Sequence, residues 1–312
     1  MFLNMFKKLL IIGCGLIDSS ILRGCIDKKI SKNIFVFEKS KKNISQIKKI
    51  NSKIIILRKL DKKISDIDIV IISTPMSQYE KIIPNLNKFL GKKSIITDVG
   101  STKQNVLNLK NKKLNKSLDW ILSHPISGSE VSGPKHGSKS LFRNKWCIII
   151  RDKNTIKLKK IIQFWKKLGS KTILMNPKDH DKIFALTSHL PHLIAYNLIK
   201  TAQEFQKKQK RNIIKYSAGG LRDFSRIAAS NDIMWRDIFF NNKKNMISAI
   251  NIFIKNLNLF KKNIKNLEDN NLRKKLINSK KVRQQIINLK HDVAKPDFEE
   301  NNIKLGRFFI SR

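Results

Sequence analysis

The sequence has little acidic charge, few cysteines and no long hydrophobic run, and each shortage excludes a class of protein. It contains 23 acidic residues against 65 Lys and Arg, which gives a formal net charge of +42. Its three cysteines, Cys14, Cys25 and Cys147, form no CxxC spacing, so they signal neither a metal site nor a disulfide framework. No stretch reaches the roughly 18 apolar residues that a membrane span needs. We expect a soluble protein in a reducing cytoplasm, with no membrane partner.

The excess of basic residues raises the hypothesis of a nucleic-acid-binding protein, but its distribution argues against one. The lysines run from Lys7 to Lys304 without forming one stripe, and they are mixed with Ile and Asn, as a genome-wide compositional bias would produce. The sequence also has no aromatic stacking motif. We therefore predict no specific nucleic-acid partner, and a basic surface would instead attract a small anionic substrate.

The beginning of the sequence superficially imitates a lipoprotein signal. Two lysines, Lys7 and Lys8, precede an apolar run that leads to Cys14. That run is too short for the apolar region of a signal peptide, which takes about 7–15 residues. We interpret residues 8–13 as a first β-strand that is buried on both faces.

A glycine turn follows this strand and leads into a helix. The segment Gly13 to Asp18 is similar to the dinucleotide fingerprint GxGxxG, with Asp18 in place of the third glycine. Gly13 would make the tight turn, and Gly15 would let a pyrophosphate approach the backbone. The N–H groups at Leu16 and Ile17 would hold the phosphates. Unless its side chain points to solvent, Asp18 adds bulk and negative charge there, so we predict weaker cofactor binding than with glycine.

An acidic residue, Glu38, ends the second predicted strand, residues 33–37. An acid at this place accepts hydrogen bonds from the ribose hydroxyls of a dinucleotide and repels a 2′-phosphate. The sequence therefore favours NAD over NADP, although Lys39, Lys41 and Lys42 weaken this argument. The alternative is a solvated acid at the end of a strand.

Strands and helices alternate up to residue 177, which predicts an α/β fold class with a doubly wound, Rossmann-like, mostly parallel sheet. The remaining strands are predicted at residues 54–57, 68–73, 94–98, 120–122, 145–150 and 171–175, all in this one sheet. Thr74, Ser101 and His124 follow three of these strands, at the edge where such folds bind ligands. We predict a dinucleotide-binding domain at 1–177, an all-helical substrate-binding and dimerisation domain at 178–290, and a charged tail at 291–312.

One histidine stands in a polar segment, SHPISGSE, which runs from Ser123 to Glu130. A titratable imidazole at the end of a strand in such a fold is a candidate for chemistry. The alternative is a structural loop with a hydrogen-bonded histidine, and these residues alone leave both interpretations open.

Two further histidines lie in the predicted helix that covers residues 180–205. We expect Pro191 to kink this helix, because proline removes a helical hydrogen bond. The kink would turn His189 and His192 toward a cleft. The alternative is a pair of packed histidines with no chemical role.

Two arginines, Arg222 and Arg226, follow a Gly-Gly pair at helical spacing. Like charges one turn apart cost about 0.2–0.5 kcal/mol, and a bound anion would offset that cost. The pair therefore predicts a site for one or two carboxylates. The alternative is a structural network in which the arginines pair with Asp223 and Asp237.

A late helix carries apolar residues at alternating spacings of four and three. The residues of this seam are Met246, Ile250, Phe253, Leu257, Phe260, Ile264 and Leu267. The spacing is close to a heptad repeat. We favour packing inside the domain, with a contact between two copies of the chain as the alternative.

Three motifs, in this order, resemble the prephenate dehydrogenase family and its arogenate and cyclohexadienyl relatives: SHPISGSE, TSHLPH at 187–192 and GGLRDFSRIAASNDIMWRDIF at 219–239. The resemblance spans residues 9–254. It implies NAD-dependent oxidative decarboxylation of prephenate to 4-hydroxyphenylpyruvate in tyrosine biosynthesis. In that reaction the ring carbon bearing the hydroxyl loses a hydride and a quaternary ring carbon loses CO2. The alternatives are an arogenate dehydrogenase that makes tyrosine directly, or a catalytically weak NAD-binding homologue.

The resemblance also implies roles for the residues at the sheet edge. His124 would accept the proton of the ring hydroxyl, which requires a neutral imidazole near pH 7. Ser101 would hydrogen-bond both that hydroxyl and His124. The nicotinamide of NAD would lie near Thr74 and Ser101, and no metal is implied.

The helical half would hold the substrate, a small dicarboxylate. Arg226 would bind a carboxylate with both ends of its guanidinium, and Arg222 would assist. His192, ahead of His189, would line the pocket, and Trp235 would pack against its wall.

Three other functions compete with this reading. A sensor that binds NAD without catalysis is favoured only by Asp18. A nucleic-acid binder would lose affinity steeply with salt. A 3-hydroxyacid or imine reductase shares the fold, but would use a lysine on the long helix, and none stands beside His189 to His192.

Overall fold

The structure of the chain is a computed structural model that describes residues 4–128, 131, 133–153 and 155–289. Ser129, Glu130 and Ser132 of the polar segment and the predicted tail at 291–312 lie outside the described residues. The chain divides into two compact units, Met1–Ile254 and Lys255–Arg312. The predicted boundaries at 177/178 and 290/291 stay predictions.

The first unit is built on a six-stranded parallel sheet. Its strands are β1 (Phe6–Ile12), β2 (Ser31–Phe37), β3 (Ile55–Leu57), β4 (Ile69–Ile72), β5 (Ile95–Asp98) and β6 (Asp119–Ile121). Their order across the sheet is β3-β2-β1-β4-β5-β6, with parallel register throughout. The predicted α/β, Rossmann-like fold is confirmed.

Continuous apolar runs produce these strands, because helices cover both faces of the sheet. The helices that alternate with them are α1 (Leu16–Asp27), α2 (Lys41–Ile50), α3 (Tyr79–Phe89) and α4 (Gln104–Lys113). One hydrophobic cluster holds Leu9 and Ile11 of β1, and a second holds Leu10 and Ile12. All four side chains are fully buried, so β1 anchors both cores.

The prediction of one continuous sheet is wrong at its end. A second sheet is formed by β7 (Ser123–Pro125), β8 (Trp146–Ile150) and β9 (Lys171–Met175), and β7 runs antiparallel to β8. A parallel neighbour needs a crossover of a dozen or more residues, whereas only Leu122 separates β6 from β7. The chain therefore leaves the first sheet just before His124. Helix α5 (Thr155–Lys167) joins β8 to β9.

After β9 the described chain is helical, as predicted. The helices are α6 (Pro177–Phe184), α7 (Leu190–Gln209), α8 (Gly219–Ala228), α9 (Asp232–Asn241), α10 (Lys243–Lys265) and α11 (Asp269–Asn288). No helix within the described residues is both long and apolar enough to cross a membrane.

The expected proline kink at Pro191 stays a prediction, but the helix is irregular just before this residue. Residues Ala185–His189 form a π-helical segment between α6 and α7, and Pro191 lies in the first turn of α7. The backbone N–H of Leu190, at the start of α7, donates to the carbonyl oxygen of Ala185, so helical hydrogen bonds continue across the junction, and Pro191 adds none because it has no N–H. The irregularity is the π-helical segment, and His189 is its last residue.

The apolar seam of α10 is buried only at its start. Met246 is 3% exposed, whereas Leu257, Ile264 and Leu267 are 54%, 60% and 87% exposed. Packing inside the domain, which the sequence favoured, is therefore wrong for the later part of the seam. Leu267 lies beyond the end of α10 and has a positive φ of 51°.

Candidate active site

The glycine turn after β1 brings two strand ends together. Gly13 has a φ of +96°, and a Cβ atom there would lie 3.1 Å from the carbonyl oxygen of Ser73 and from Cγ2 of Thr74. A side chain at this position would be strained as well as crowded. Gly15 is the N-cap of α1, so the first turn of this helix, at Leu16 and Ile17, begins beside the end of β4. This arrangement fits a dinucleotide phosphate.

Asp18 does not point to solvent, which was one of the two arrangements that the sequence allowed. Its side chain is 2% exposed, and its carboxylate accepts a hydrogen bond of 2.9 Å from the backbone N–H of Gly15. Burial raises the pKa of Asp18 to about 6, and the N–H of Gly15 opposes this rise. The carboxylate therefore caps the helix from inside the turn that would hold the phosphates.

Glu38 is held at the start of α2, not left free in solvent. One carboxylate oxygen accepts from the backbone N–H groups of Lys39 and Ser40, and the other accepts from the amide of Asn43. A cavity of about 420 Å³ beside Asn43 is lined by Lys42, Asn43, Gln46, Gly133, Lys135 and His136. A fixed acid next to a cavity suits the ribose of a dinucleotide, although the cavity wall is basic.

The three predicted edge residues follow neighbouring strands. Thr74 comes after β4, Ser101 after β5 and His124 after β6, and these three strands are adjacent in the sheet. The hydroxyl of Thr74 is buried and has no hydrogen-bond partner within the described chain. An unpaired buried polar atom at a ligand-binding edge is typical of a site completed by its ligand.

His124 lies in β7 and is 8% exposed. Its Nδ1 is 2.8 Å from Nε2 of His180, and its ring edge packs against Phe184 at a centroid distance of 5.1 Å. Burial is the main reason that the pKa of His124 falls well below its usual value, and the charges of His180, Lys103 and His189 lower it further. The imidazole is therefore neutral at pH 7, with a ring nitrogen that can accept a proton.

A buried ion pair, which the sequence did not reveal, holds the backbone next to His124. Lys103 and Asp98 are both fully buried, and their Nζ and Oδ2 atoms are 2.5 Å apart. Nζ of Lys103 also donates to the carbonyl oxygen of Ser123, beside His124, at 2.7 Å. The indole N–H of Trp120 and the backbone N–H of Gly100 donate to Asp98. These hydrogen bonds fix the backbone of Ser123, the residue before His124.

His180 and Asp181 were also missed. His180 is fully buried, and its Nδ1 is 2.8 Å from Oδ1 of Asp181. Three titratable residues in a row, Asp179 to Asp181, were a visible signal, but sequence alone does not show that the second and third are buried against His124. Burial also lowers the pKa of His180.

The two histidines of the TSHLPH motif meet Trp235 of α9. The ring of His192 stacks on the indole at a centroid distance of 3.7 Å, and His189 meets its edge at 6.1 Å. Burial lowers the pKa of His189 to about 4, while Asp181 and the backbone of Ser101 oppose this shift. The histidines and the tryptophan thus form one aromatic wall that reaches the backbone of Ser101.

The two arginines lie on α8, which packs against α7. Arg222 and Arg226 are both exposed and one turn apart. Asp237, one of the two acids of the alternative network, accepts from Arg236 and from the backbone N–H of Ser77. Both arginine side chains therefore lie on the exposed surface of α8.

The site contains no candidate metal centre within the described residues, where no group of three or more His, Cys, Asp or Glu side chains could hold an ion.

Comparison with known proteins identifies the family. Residues 27–174 match the nucleotide-binding domain of prephenate dehydrogenase, and residues 176–278 match its dimerization domain. A cyclohexadienyl dehydrogenase from Zymomonas mobilis is 31% identical over 82% of this chain and 87% of that protein. The chain belongs to the prephenate dehydrogenase family. It is therefore an oxidoreductase with a nucleotide-binding domain.

Two other family members support this assignment. A prephenate dehydrogenase from Lactococcus lactis is 29% identical over 80% of this chain and 69% of that protein. The crystal structure of prephenate dehydrogenase from A. aeolicus, in complex with hydroxyphenyl propionate and NAD+, matches with a TM-score of 0.83 and 31% identity. That match covers 90% of this chain and 98% of the crystallised chain.

Proposed function

We propose that the protein is an NAD-dependent prephenate dehydrogenase that oxidises and decarboxylates prephenate to 4-hydroxyphenylpyruvate. The observation that carries this proposal is a buried, neutral His124 at the edge where the strands of a nucleotide-binding sheet end. A hydride acceptor and a base are the two groups that oxidation of a ring alcohol requires.

The glycine turn and Glu38 would hold the cofactor. The glycine turn and the start of α1, from Gly13 to Ile17, would fit the pyrophosphate, and Glu38 would fit the ribose hydroxyls. NAD, when bound, supplies the acceptor for the hydride. We favour NAD over NADP because Glu38 would repel a 2′-phosphate.

His124 would act as the base, while Ser101 orients the substrate. As the hydride leaves the ring carbon, Nε2 of His124 takes the proton of the ring hydroxyl. Loss of CO2 from the quaternary carbon on the opposite side of the ring then makes the ring aromatic. The low pKa of His124 serves this step, because only a neutral imidazole accepts a proton. Ser101 would donate a hydrogen bond to the same hydroxyl.

The helical half would anchor the two carboxylates of the substrate. Arg226 would form a bidentate pair with one of them and Arg222 would assist. His192, His189 and Trp235 would close the pocket around the ring. This division leaves the chemistry to the sheet edge and the recognition of charge to α8.

A second substrate, arogenate, is favoured by one specific observation. The Zymomonas relative is named a cyclohexadienyl dehydrogenase, and arogenate is also a cyclohexadienyl compound. It differs from prephenate in an amino group in place of a keto group, and its oxidation gives tyrosine directly. We therefore include it as the alternative substrate.

We further propose that the protein forms a homodimer through its helical residues. The match of residues 176–278 to a dimerization domain supports this, and so do the exposed apolar residues Leu257 and Ile264 on α10. We place the protein in the cytoplasm, because its three cysteines are buried and unpaired. No nucleic-acid partner is proposed.

The test is steady-state kinetics with prephenate and arogenate, each with NAD and NADP, followed by the absorbance of the reduced cofactor. We expect turnover with NAD and at least one of the two substrates. Absence of turnover in all four combinations at high cofactor concentration would contradict the proposal and would favour a protein that only binds NAD.

A further inference from the structure

We propose that His180 and Asp181 are positioning residues that fix the tautomer of His124 and leave its Nε2 as the basic atom. This inference rests on the proposed function only in making His124 the base. The tautomer itself follows from hydrogen bonds, starting at Asp181.

The carboxylate of Asp181 is fixed by the start of α4. Its Oδ1 accepts from the backbone N–H of Lys103 at 2.7 Å, and its Oδ2 accepts from the backbone N–H of Gln104 at 2.9 Å. The side chain is 1% exposed. Both oxygens therefore act as acceptors.

This acceptor determines the direction of the next two hydrogen bonds. Since Oδ1 of Asp181 accepts, Nδ1 of His180, 2.8 Å away, must carry the proton and donate it. A neutral His180 then has a bare Nε2, which accepts. The Nδ1 of His124, 2.8 Å from that atom, must therefore carry a proton. In a neutral His124 the lone pair remains on Nε2.

Packing prevents the two rings from turning to another arrangement. His180 is fully buried and lies against Phe184 at a centroid distance of 4.5 Å, while His124 meets the same ring at 5.1 Å. The amide of Asn242 donates to the backbone carbonyl of Asp181 at 2.7 Å and so fixes the start of the chain of bonds. Each imidazole therefore has one orientation and one tautomer.

The arrangement has a consequence for catalysis. A histidine with its Nδ1–H bound to a fixed acceptor presents Nε2 to the substrate in every molecule, not in a fraction of them. The same acceptor also stabilises the imidazolium that forms when His124 takes a proton, as an orienting acid does in hydrolase triads. The predicted effect of His180 is on turnover, not on substrate affinity.

Two substitutions separate the hydrogen bond from the packing. His180→Phe keeps an aromatic ring against Phe184 but removes the acceptor. His180→Gln is the matched control, because its terminal oxygen can occupy the place of Nε2 and accept from His124. We expect kcat to fall at least tenfold in His180→Phe and by less than threefold in His180→Gln, with KM and NAD affinity within threefold of wild type in both.

The tautomer is read directly by 15N NMR of the histidine rings in the full-length wild-type protein at neutral pH. We expect His124 to carry its proton on Nδ1 and His180 to do the same. A proton on Nε2 of His124, or an unchanged kcat in a folded His180→Phe variant, would overturn the inference. If His180→Phe fails to fold, the wild-type spectrum alone tests which nitrogen of His124 carries the proton. Because that spectrum does not depend on turnover, it separates failure of this inference from failure of the proposed function.

Discussion

The two halves of the candidate site differ in how they hold their charged groups. At the sheet edge, His124, Lys103 and Asp98 are buried, and each makes hydrogen bonds of defined geometry. On α8, Arg222 and Arg226 are exposed, and the helix contains no buried residue. One half is buried and hydrogen-bonded before any ligand arrives, whereas the other lies at the protein surface.

This difference matches the two tasks that the site would perform. A general base must stand in one place and one protonation state, which burial and hydrogen bonds provide. A residue that binds a carboxylate needs only a positive charge that can pair with it. An exposed arginine provides this charge at a smaller desolvation cost than a buried one would. Substitutions in the two halves should therefore have different kinetic effects.

The largest effect is expected from His124→Asn. It removes the base but keeps a small polar group, so kcat should fall by about 10²–10⁴. KM for prephenate should change by no more than a few-fold, because the anchor on α8 is intact. Steady-state kinetics measures both values, with NAD affinity and the melting temperature as controls for folding. Unchanged turnover would remove His124 from the mechanism.

The next largest effect is on stability. Lys103→Met leaves Asp98 buried without its counter-charge, and the free energy of unfolding should fall by about 3–5 kcal/mol. Lys113→Met, at the other end of α4, breaks an exposed pair with Glu80 and should leave the free energy of unfolding nearly unchanged. Denaturant unfolding measures both. Equal losses would mean that burial does not distinguish the two pairs.

A moderate effect on substrate affinity is expected from a substitution on α8. Arg226→Gln removes a charge-assisted hydrogen bond worth about 1.5–3 kcal/mol, so KM for prephenate should rise roughly 10- to 150-fold. The fall in kcat should be smaller than in His124→Asn. Arg211→Gln, in the segment before α8, is a matched control that should leave KM unchanged. If both substitutions raise KM equally, the effect is one of overall charge and not of a specific anchor.

The smallest effect concerns Asp18 and the cofactor. Asp18→Gly removes bulk and charge from the glycine turn and should tighten NAD binding a few-fold. The pKa of Asp18 is raised to about 6 by burial, so in the wild type the carboxyl becomes negative as the pH rises through 6. NAD affinity should therefore fall from pH 5 to pH 7 in the wild type.

The control for this prediction is Asp18→Asn, which keeps the size of the side chain and cannot ionise. Titration of NAD by protein fluorescence should show no such fall in either variant between pH 5 and pH 7. Affinity that stays constant in the wild type, or that decreases in Asp18→Gly, would contradict the role given to this carboxylate.

Much of the first sheet could be predicted because an apolar run buried on both faces leaves a clear signal. The runs at β1 and β4 and the glycines after β1 are of this kind. The second sheet could not, because an apolar run such as residues 145–150 shows that a strand exists but not which strand it pairs with. Leu122 was predicted as part of the strand at 120–122, and only the structure shows it as a one-residue link between β6 and β7.

The candidate site shows the same limit. His124, His189 and His192 stood out because they lie in distinctive motifs. Lys103 and His180 did not, since their roles depend on burial, which is decided by packing between segments far apart in sequence. The direction of the Asp18 side chain was likewise open until its bond to the Gly15 N–H was located.

The central claim is that a fixed imidazole and an exposed guanidinium act on one substrate. The most direct measurement is a crystal structure of the protein with NAD and hydroxyphenyl propionate, the ligand of the A. aeolicus complex. We predict the phenol oxygen within hydrogen-bond distance of Nε2 of His124 and the carboxylate on Arg226. A ligand bound by one of these residues while the other faces a different cavity would contradict the account.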